Sequence, residues 1–154
     1  MNDGSDKTRE FLESSPALKH SALTEKIIAA FYEVYNELGF GFLESVYCNA
    51  LAIAAGKRGL TVEREVPIAV WYGGIDVGDF KADLIVEGTV LLELKTAQAL
   101  DRAHEAQLLN YLRATEIEVG LLLNFGPKPQ FKRLILTNDQ KKIRVHPCES
   151  VVGK

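Results

Sequence analysis

Apolar positions along the chain change their period more than once. Ile27, Ile28, Phe31, Val34, Tyr35 and Leu38 recur at helical spacing, and Gly39 supplies a stop. Gly39-Phe40-Gly41 reads as a tight connector. A second helix is expected over residues 43–58, closed by Gly59, with a stripe of Leu43, Val46, Tyr47, Ala50, Leu51 and Ala54. From Val62 the period falls to two. Val62, Arg64, Val66, Ile68 and Val70 are expected to share one face of a strand that runs to Trp71 or Tyr72, and Gly73-Gly74 marks a hairpin turn.

Strands are then predicted over 76–86 and 90–95. A helix follows from an Asp101 N-cap to Ala114, then a mostly apolar strand over 119–125, a Pro-containing turn and a last strand over 131–136. The helix between Lys95 and Val119 is long enough for a right-handed crossover between parallel neighbours. This order predicts an α/β fold, a mixed central sheet with helices packed on it. Residues 1–20 are polar and unpatterned and predict a mobile N-terminal tail. The domain is expected over 21–140 and a C-terminal tail over 141–154.

Chemistry concentrates between Lys81 and Lys95. Glu93 and Lys95 are two apart on an apolar strand and so point to one face. Taken alone, that pair is compatible with an ordinary cross-strand salt bridge. The turn adds information. A three-residue loop, Glu87-Gly88-Thr89, would set Asp83 opposite Glu93, Ile85 opposite Leu91 and Lys81 opposite Lys95. The other face would then be wholly apolar: Ala82 with Leu94, Leu84 with Leu92, Val86 with Val90. A two-residue loop would mix the faces, and register follows the hydrophobic pattern. Two adjacent carboxylates repel, more so when buried, and a hard divalent cation such as magnesium relieves them. Lys95 could stabilise charge at phosphorus.

Two helices add candidates. Glu44 projects at the margin of the second helix's apolar stripe. His104, Gln107 and Tyr111 fall within an arc of about 60° on the third. His104 reads as part of a solvated ridge, Gln107 and Tyr111 as residues lining the site, and Tyr47 as a core residue with its hydroxyl at the rim.

The composition narrows the setting. Of 154 residues, 47% are hydrophobic and 25% charged, which fits one globular domain rather than a disordered chain. A formal charge of −3 gives little long-range attraction for phosphates, so a nucleic-acid partner needs a local basic rim or metal ions. No apolar run has the length of a membrane span or a signal peptide. Cys48 and Cys148 have no metal-site spacing and read as reduced thiols of a cytoplasmic protein.

Gly41-Phe42-Leu43-Glu44-Ser45-Val46-Tyr47 resembles the GxxExxY signature of a bacterial and archaeal protein family. GLTVEREVPIAVWYGG, the acidic hairpin, AQLLNYL and VGLLLNFG are similar to that family too, over roughly residues 23–136. Tyr35 stands where many members carry a histidine. The family is placed in the PD-(D/E)XK nuclease-like superfamily, whose restriction-endonuclease-like core runs αβββαβ. The resemblance implies Asp83 and Glu93 as metal ligands, with the Leu94 carbonyl and Glu44 completing the set, and Lys95 as the catalytic lysine. Gln107 and Tyr111 resemble the QxxxY motif of RecB-type nucleases. Implied with them are a magnesium cofactor, with manganese as a substitute, and hydrolysis of nucleic acid, DNA foremost. The rival is a non-catalytic nucleic-acid-binding or assembly module that kept the fold. A homodimer or a larger nucleic-acid-processing complex stays open.

Overall fold

The computed structural model describes residues 19–141. Cys148 and all of the two expected tails except Lys19, His20 and Lys141 lie outside the described residues. Helix α1 (Ser21–Leu38) buries Ile27, Ala30, Phe31 and Val34, and ends where Gly39 takes φ 68°. Helix α2 (Glu44–Lys57) buries Tyr47, Leu51, Ala54 and Ala55. Five strands follow, β1 (Val62–Tyr72), β2 (Ile75–Val86), β3 (Val90–Lys95), β4 (Val119–Phe125) and β5 (Pro129–Ile135), with helix α3 (Arg102–Arg113) between β3 and β4. They form one sheet in the order β1-β2-β3-β4-β5. Only the β3–β4 pair is parallel, as expected of strands joined through a helix.

The sheet separates two cores. On one side α1 and α2 pack on Leu84, Val86, Leu92, Leu94, Leu121, Leu123 and Phe125. On the other, Leu108 and Leu112 of α3 meet Ile68, Ala82, Ile85, Leu91 and Leu122. Strand β4 is buried along its whole length, which explains its almost continuous apolar sequence. Gly120 leaves room there for Leu108, whose Cδ1 would lie 2.9 Å from an added Cβ. Among the described residues, no helix is long and apolar enough to cross a membrane.

Three expectations need correction. Val62 belongs to the α1–α2 core, whereas Val66, Ile68 and Val70 face α3, so the five alternate residues of β1 do not share a face. Strand β2 switches likewise: Phe80 and Ala82 face α3, but Leu84 and Val86 face the other core. The switch falls where the β1–β2 ladder skips from Arg64↔Leu84 to Val66↔Ala82, leaving out Glu65 and Asp83. Glu65 has φ 48°, a left-handed conformation that turns the strand over and resets its alternation. A period-two reading presumes an unbroken pleat.

The second correction concerns β2 and β3. Their register, Leu84↔Leu92, Ile85↔Leu91 and Val86↔Val90, is that of the three-residue turn. Glu87 and Gly88 adopt φ 55° and 64°, and the Thr89 N–H donates to the Val86 carbonyl at 3.0 Å. Beyond Leu84 the ladder ends. Ala82 does not join Leu94 on one apolar face, because the two lie in opposite cores, and Lys81 pairs with Pro67 of β1 rather than with Lys95. Strand β5 also begins at Pro129, earlier than expected, since an edge strand tolerates a residue without an N–H.

Candidate active site

The opening between β2 and β3 is where the acids stand. The Leu94 N–H donates to Asp83 Oδ2 at 2.8 Å, and the Asp83 N–H donates to Glu93 Oε1 at 3.4 Å. Each carboxylate thus takes a main-chain donor that the ended ladder has released. Asp83 Oδ1 and Glu93 Oε2 accept no hydrogen bond among the described residues. Glu93 is 5% exposed. Burial, with the charge of Asp83 beside it, pushes its carboxyl up to about 8. Burial also raises Asp83, against the Leu94 N–H and Lys95, which favour its charged form.

Lys95 ends β3. Its Nζ donates to Gln107 Oε1 at 2.8 Å, and Gln107 Nε2 donates to the Tyr111 hydroxyl at 2.9 Å. The ammonium can only donate, so it fixes the amide with its oxygen inward and its nitrogen toward Tyr111. The Tyr111 ring stacks on Phe80, centroids 3.7 Å apart and planes 11° from parallel. Burial raises the Tyr111 phenol, and the charge of Glu93 adds to this, which puts the ring within electrostatic reach of the acids. His104, by contrast, is a cap. Its backbone N–H donates to Asp101 Oδ1 at 3.0 Å and its Nδ1 accepts the Asp101 N–H at 3.1 Å.

The chain leaving Lys95 is clamped by β4. Asn124, fully buried, accepts the Ala97 N–H at 2.8 Å and donates to the Ala97 carbonyl at 3.0 Å. A Cβ at Gly126 would lie 2.0 Å from that carbonyl oxygen, so only glycine permits the approach. The asparagine and final glycine of VGLLLNFG therefore hold the backbone that carries Lys95.

Glu44 is the first residue of α2, and the connector before it sets its position. Gly41 has φ 113°, a conformation open to glycine. The buried Tyr47 hydroxyl donates to the Gly39 carbonyl at 2.6 Å and accepts the Phe42 N–H at 3.2 Å. Tyr47 is thus a core residue, as expected, and its hydroxyl pins the connector. The Glu44 carboxyl accepts no hydrogen bond among the described residues. Burial raises it first, and Asp83 adds to this, while Lys95 and His104 act the other way. A cleft of about 240 Å³ opens beside it, with Glu44, Cys48, Arg64, Glu65, Asp83 and Leu94 in its wall.

Asp83, Glu93, Lys95, Gln107 and Tyr111 thus form one connected group, and Glu44 interacts with it from the rim. Three participants escape sequence reasoning. Glu65, whose charge also raises Asp83, gives no sequence signal, and neither does Phe80. Asn124 could have been found, as the single side-chain amide in an apolar strand.

In kind, the donors fit a hard divalent cation: carboxylate oxygens, two of them without protein donors, beside the Leu94 peptide. In position they are less closed. Among the described residues, no three His, Cys, Asp or Glu side chains form a group able to hold a metal ion. Asp83 and Glu93 are a pair, and Glu44 is a third acid at the rim.

Comparison with known proteins gives three findings. Residues 21–134 match the PD-(D/E)XK nuclease superfamily. No curated protein matches the chain. A distant likeness exists to the crystal structure of SSO0001, at 22% identity and TM-score 0.48, over 90% of this chain and 70% of that one.

Proposed function

The chain belongs to the PD-(D/E)XK nuclease superfamily, and on that premise we propose that it is a metal-dependent nuclease that hydrolyses phosphodiester bonds in DNA, with magnesium, or manganese in its place, as the metal. The observation that carries this reading is the partner of Lys95. Its ammonium bonds to the neutral Gln107 amide rather than to the acids beside it. A structural salt bridge would have joined lysine to carboxylate. Held by a neutral acceptor, its charge stays available to a phosphate.

Asp83, Glu93, the Leu94 carbonyl and Glu44 are the groups that would hold the metal. Such an ion supplies Lewis-acid charge at the scissile phosphate. Glu44, at the mouth of the site, would hold the metal or a water bound to it and so position the attacking water. Lys95 offsets charge that develops on the phosphoryl oxygens. Gln107 and Tyr111 keep the lysine aimed. Gly41, Glu44 and Tyr47 also support the narrower assignment to the GxxExxY family. The glycine permits the turn, the glutamate faces the site, and the tyrosine fixes the loop between them.

A second reading, a binding module that keeps the fold, is favoured by the −3 charge and by the acids that do not close on one point. The two are separated by incubating the pure protein with single-stranded, duplex and branched DNA, and with RNA, with and without Mg²⁺ or Mn²⁺. Metal-dependent cleavage supports the nuclease. Binding without cleavage under every condition supports the module.

A further inference from the structure

Arg64 is the one cation in the wall of the cleft beside Asp83, a wall it shares with Glu44 and Glu65. It stands at the edge of the break in the β1–β2 ladder, paired with Leu84 just before Glu65 and Asp83 are skipped. Its Cα is thus one strand spacing, about 5 Å, from a residue next to Asp83. A guanidinium set among three carboxylates for stability would bond to one of them. Among the described residues, Arg64 has no carboxylate partner. Its Nη2 donates to Oδ1 of Asn49, a neutral amide on α2, and the group also lies against the Cys48 thiol. Lys95, not Arg64, is the cation that favours the charged forms of Glu44 and Asp83.

Both cations at the site are therefore held in the same way, Lys95 by Gln107 and Arg64 by Asn49. A neutral acceptor fixes the direction of a charge without cancelling it. A guanidinium has five N–H donors, so several remain for an anion. The Asn49 amide turns its own Nδ2 donors away from Arg64, and these bond nothing among the described residues. Ser45 lies one helical turn before Asn49 on the same face of α2 and lines the same cleft. Its hydroxyl, the Asn49 Nδ2 and the Arg64 fork are donors of the kind a phosphate takes. Glu44 and Asp83 would spend their charge on the metal, and with a divalent ion there the wall as a whole is close to neutral. On such a wall a guanidinium without a carboxylate partner decides where an anion sits.

We infer that Arg64, positioned by Asn49, binds a backbone phosphate next to the scissile one, on the side of the cleft that α2 and β1 supply. This rests on the nuclease reading for the scissile position, but binding tests it apart from cleavage. The full chain is titrated into a fluorescently labelled DNA strand, and into its duplex, over a series of KCl concentrations with Ca²⁺ held constant. Fluorescence anisotropy gives the affinities, and circular dichroism verifies the fold of each variant. For the form that binds wild type more tightly, Arg64→Gln should weaken binding about ten- to a hundredfold at low salt. It should also make the plot of log affinity against log salt shallower, by about 0.7 for a strand or about 0.9 for a duplex, the share of one phosphate. Arg64→Lys should keep the slope and lose part of the affinity, since it retains the charge without the fork. Should Arg64→Gln not fold, Asn49→Asp, which ties the guanidinium to a carboxylate, should flatten the slope likewise. A slope and affinity unchanged from wild type in the folded variant, or wild type that binds no DNA, would each overturn the contact. Shallower slopes in the variants of a protein that cleaves nothing in Mg²⁺ sink the nuclease reading and leave the phosphate contact standing. Mg²⁺-dependent cleavage with an unchanged KM in Arg64→Gln does the reverse.

Discussion

Glu93 holds a proton in the folded metal-free protein at pH values where an exposed glutamate has lost it. Its carboxyl rises from 4.5 to about 8, by burial first and by Asp83 next. The folded state therefore binds protons more tightly than the unfolded chain. Stability from this group is present at low pH and is lost as pH climbs from 4.5 through about 8. Melting curves in EDTA across that range should show the melting temperature falling, and Glu93→Gln should flatten the fall. Saturating Mg²⁺ should also offset it, because the ion replaces the proton as partner. A wild-type curve no steeper than that of Glu93→Gln would refute the coupling. Glu65 tests the backbone instead. With φ at 48° it occupies a region that suits glycine and excludes β-branched residues. Glu65→Gly should exceed Glu65→Val in stability by about 1–2 kcal/mol in urea unfolding. Asp83, Glu93 and Lys95 were legible in the sequence because they interrupt apolar strands at face-defining intervals. Glu65 was not, because a left-handed residue within a strand leaves no mark on composition.

At the scale of elements, the β2–β3 turn was readable to the residue. Only one loop length keeps Leu84 with Leu92 and Val86 with Val90, and burying these residues enforces it. The break just beyond was not readable. It arises from cooperation between two strands, Glu65 turning β1 over while Asp83 leaves the ladder to accept the Leu94 N–H. That break makes the site, since an unbroken ladder would spend those main-chain donors on carbonyls. The β4 clamp is a second element-scale device. Asn124→Ala would remove the partner of the Ala97 N–H and carbonyl at a half-buried position, at up to about 1–3 kcal/mol for each group. Denaturant unfolding should record a loss in that range. Nuclease activity should fall further than the lost folded fraction accounts for, since Lys95 is two residues away. Unchanged stability would mean that water replaces the amide.

At the scale of the molecule, three α-helices and a mixed sheet among the described residues bring α2, β2, β3 and α3 to one opening. The α1–α2 core fixes the helix that presents Glu44, and the α3 core fixes Gln107 and Tyr111 beside Lys95. Membership of the PD-(D/E)XK nuclease superfamily suggests the reaction class, and the arrangement of side chains is the ground for the roles proposed above. The central claim is that Asp83 and Lys95 act on phosphate through different means. The most direct test is the rate of Mg²⁺-dependent DNA cleavage by wild type, Asp83→Asn and Lys95→Ala, purified in parallel and shown to be folded. Cleavage by wild type, its loss in Asp83→Asn, and a fall on the order of a hundredfold to a thousandfold in Lys95→Ala are the predicted result. Variants that cleave at the wild-type rate would contradict it.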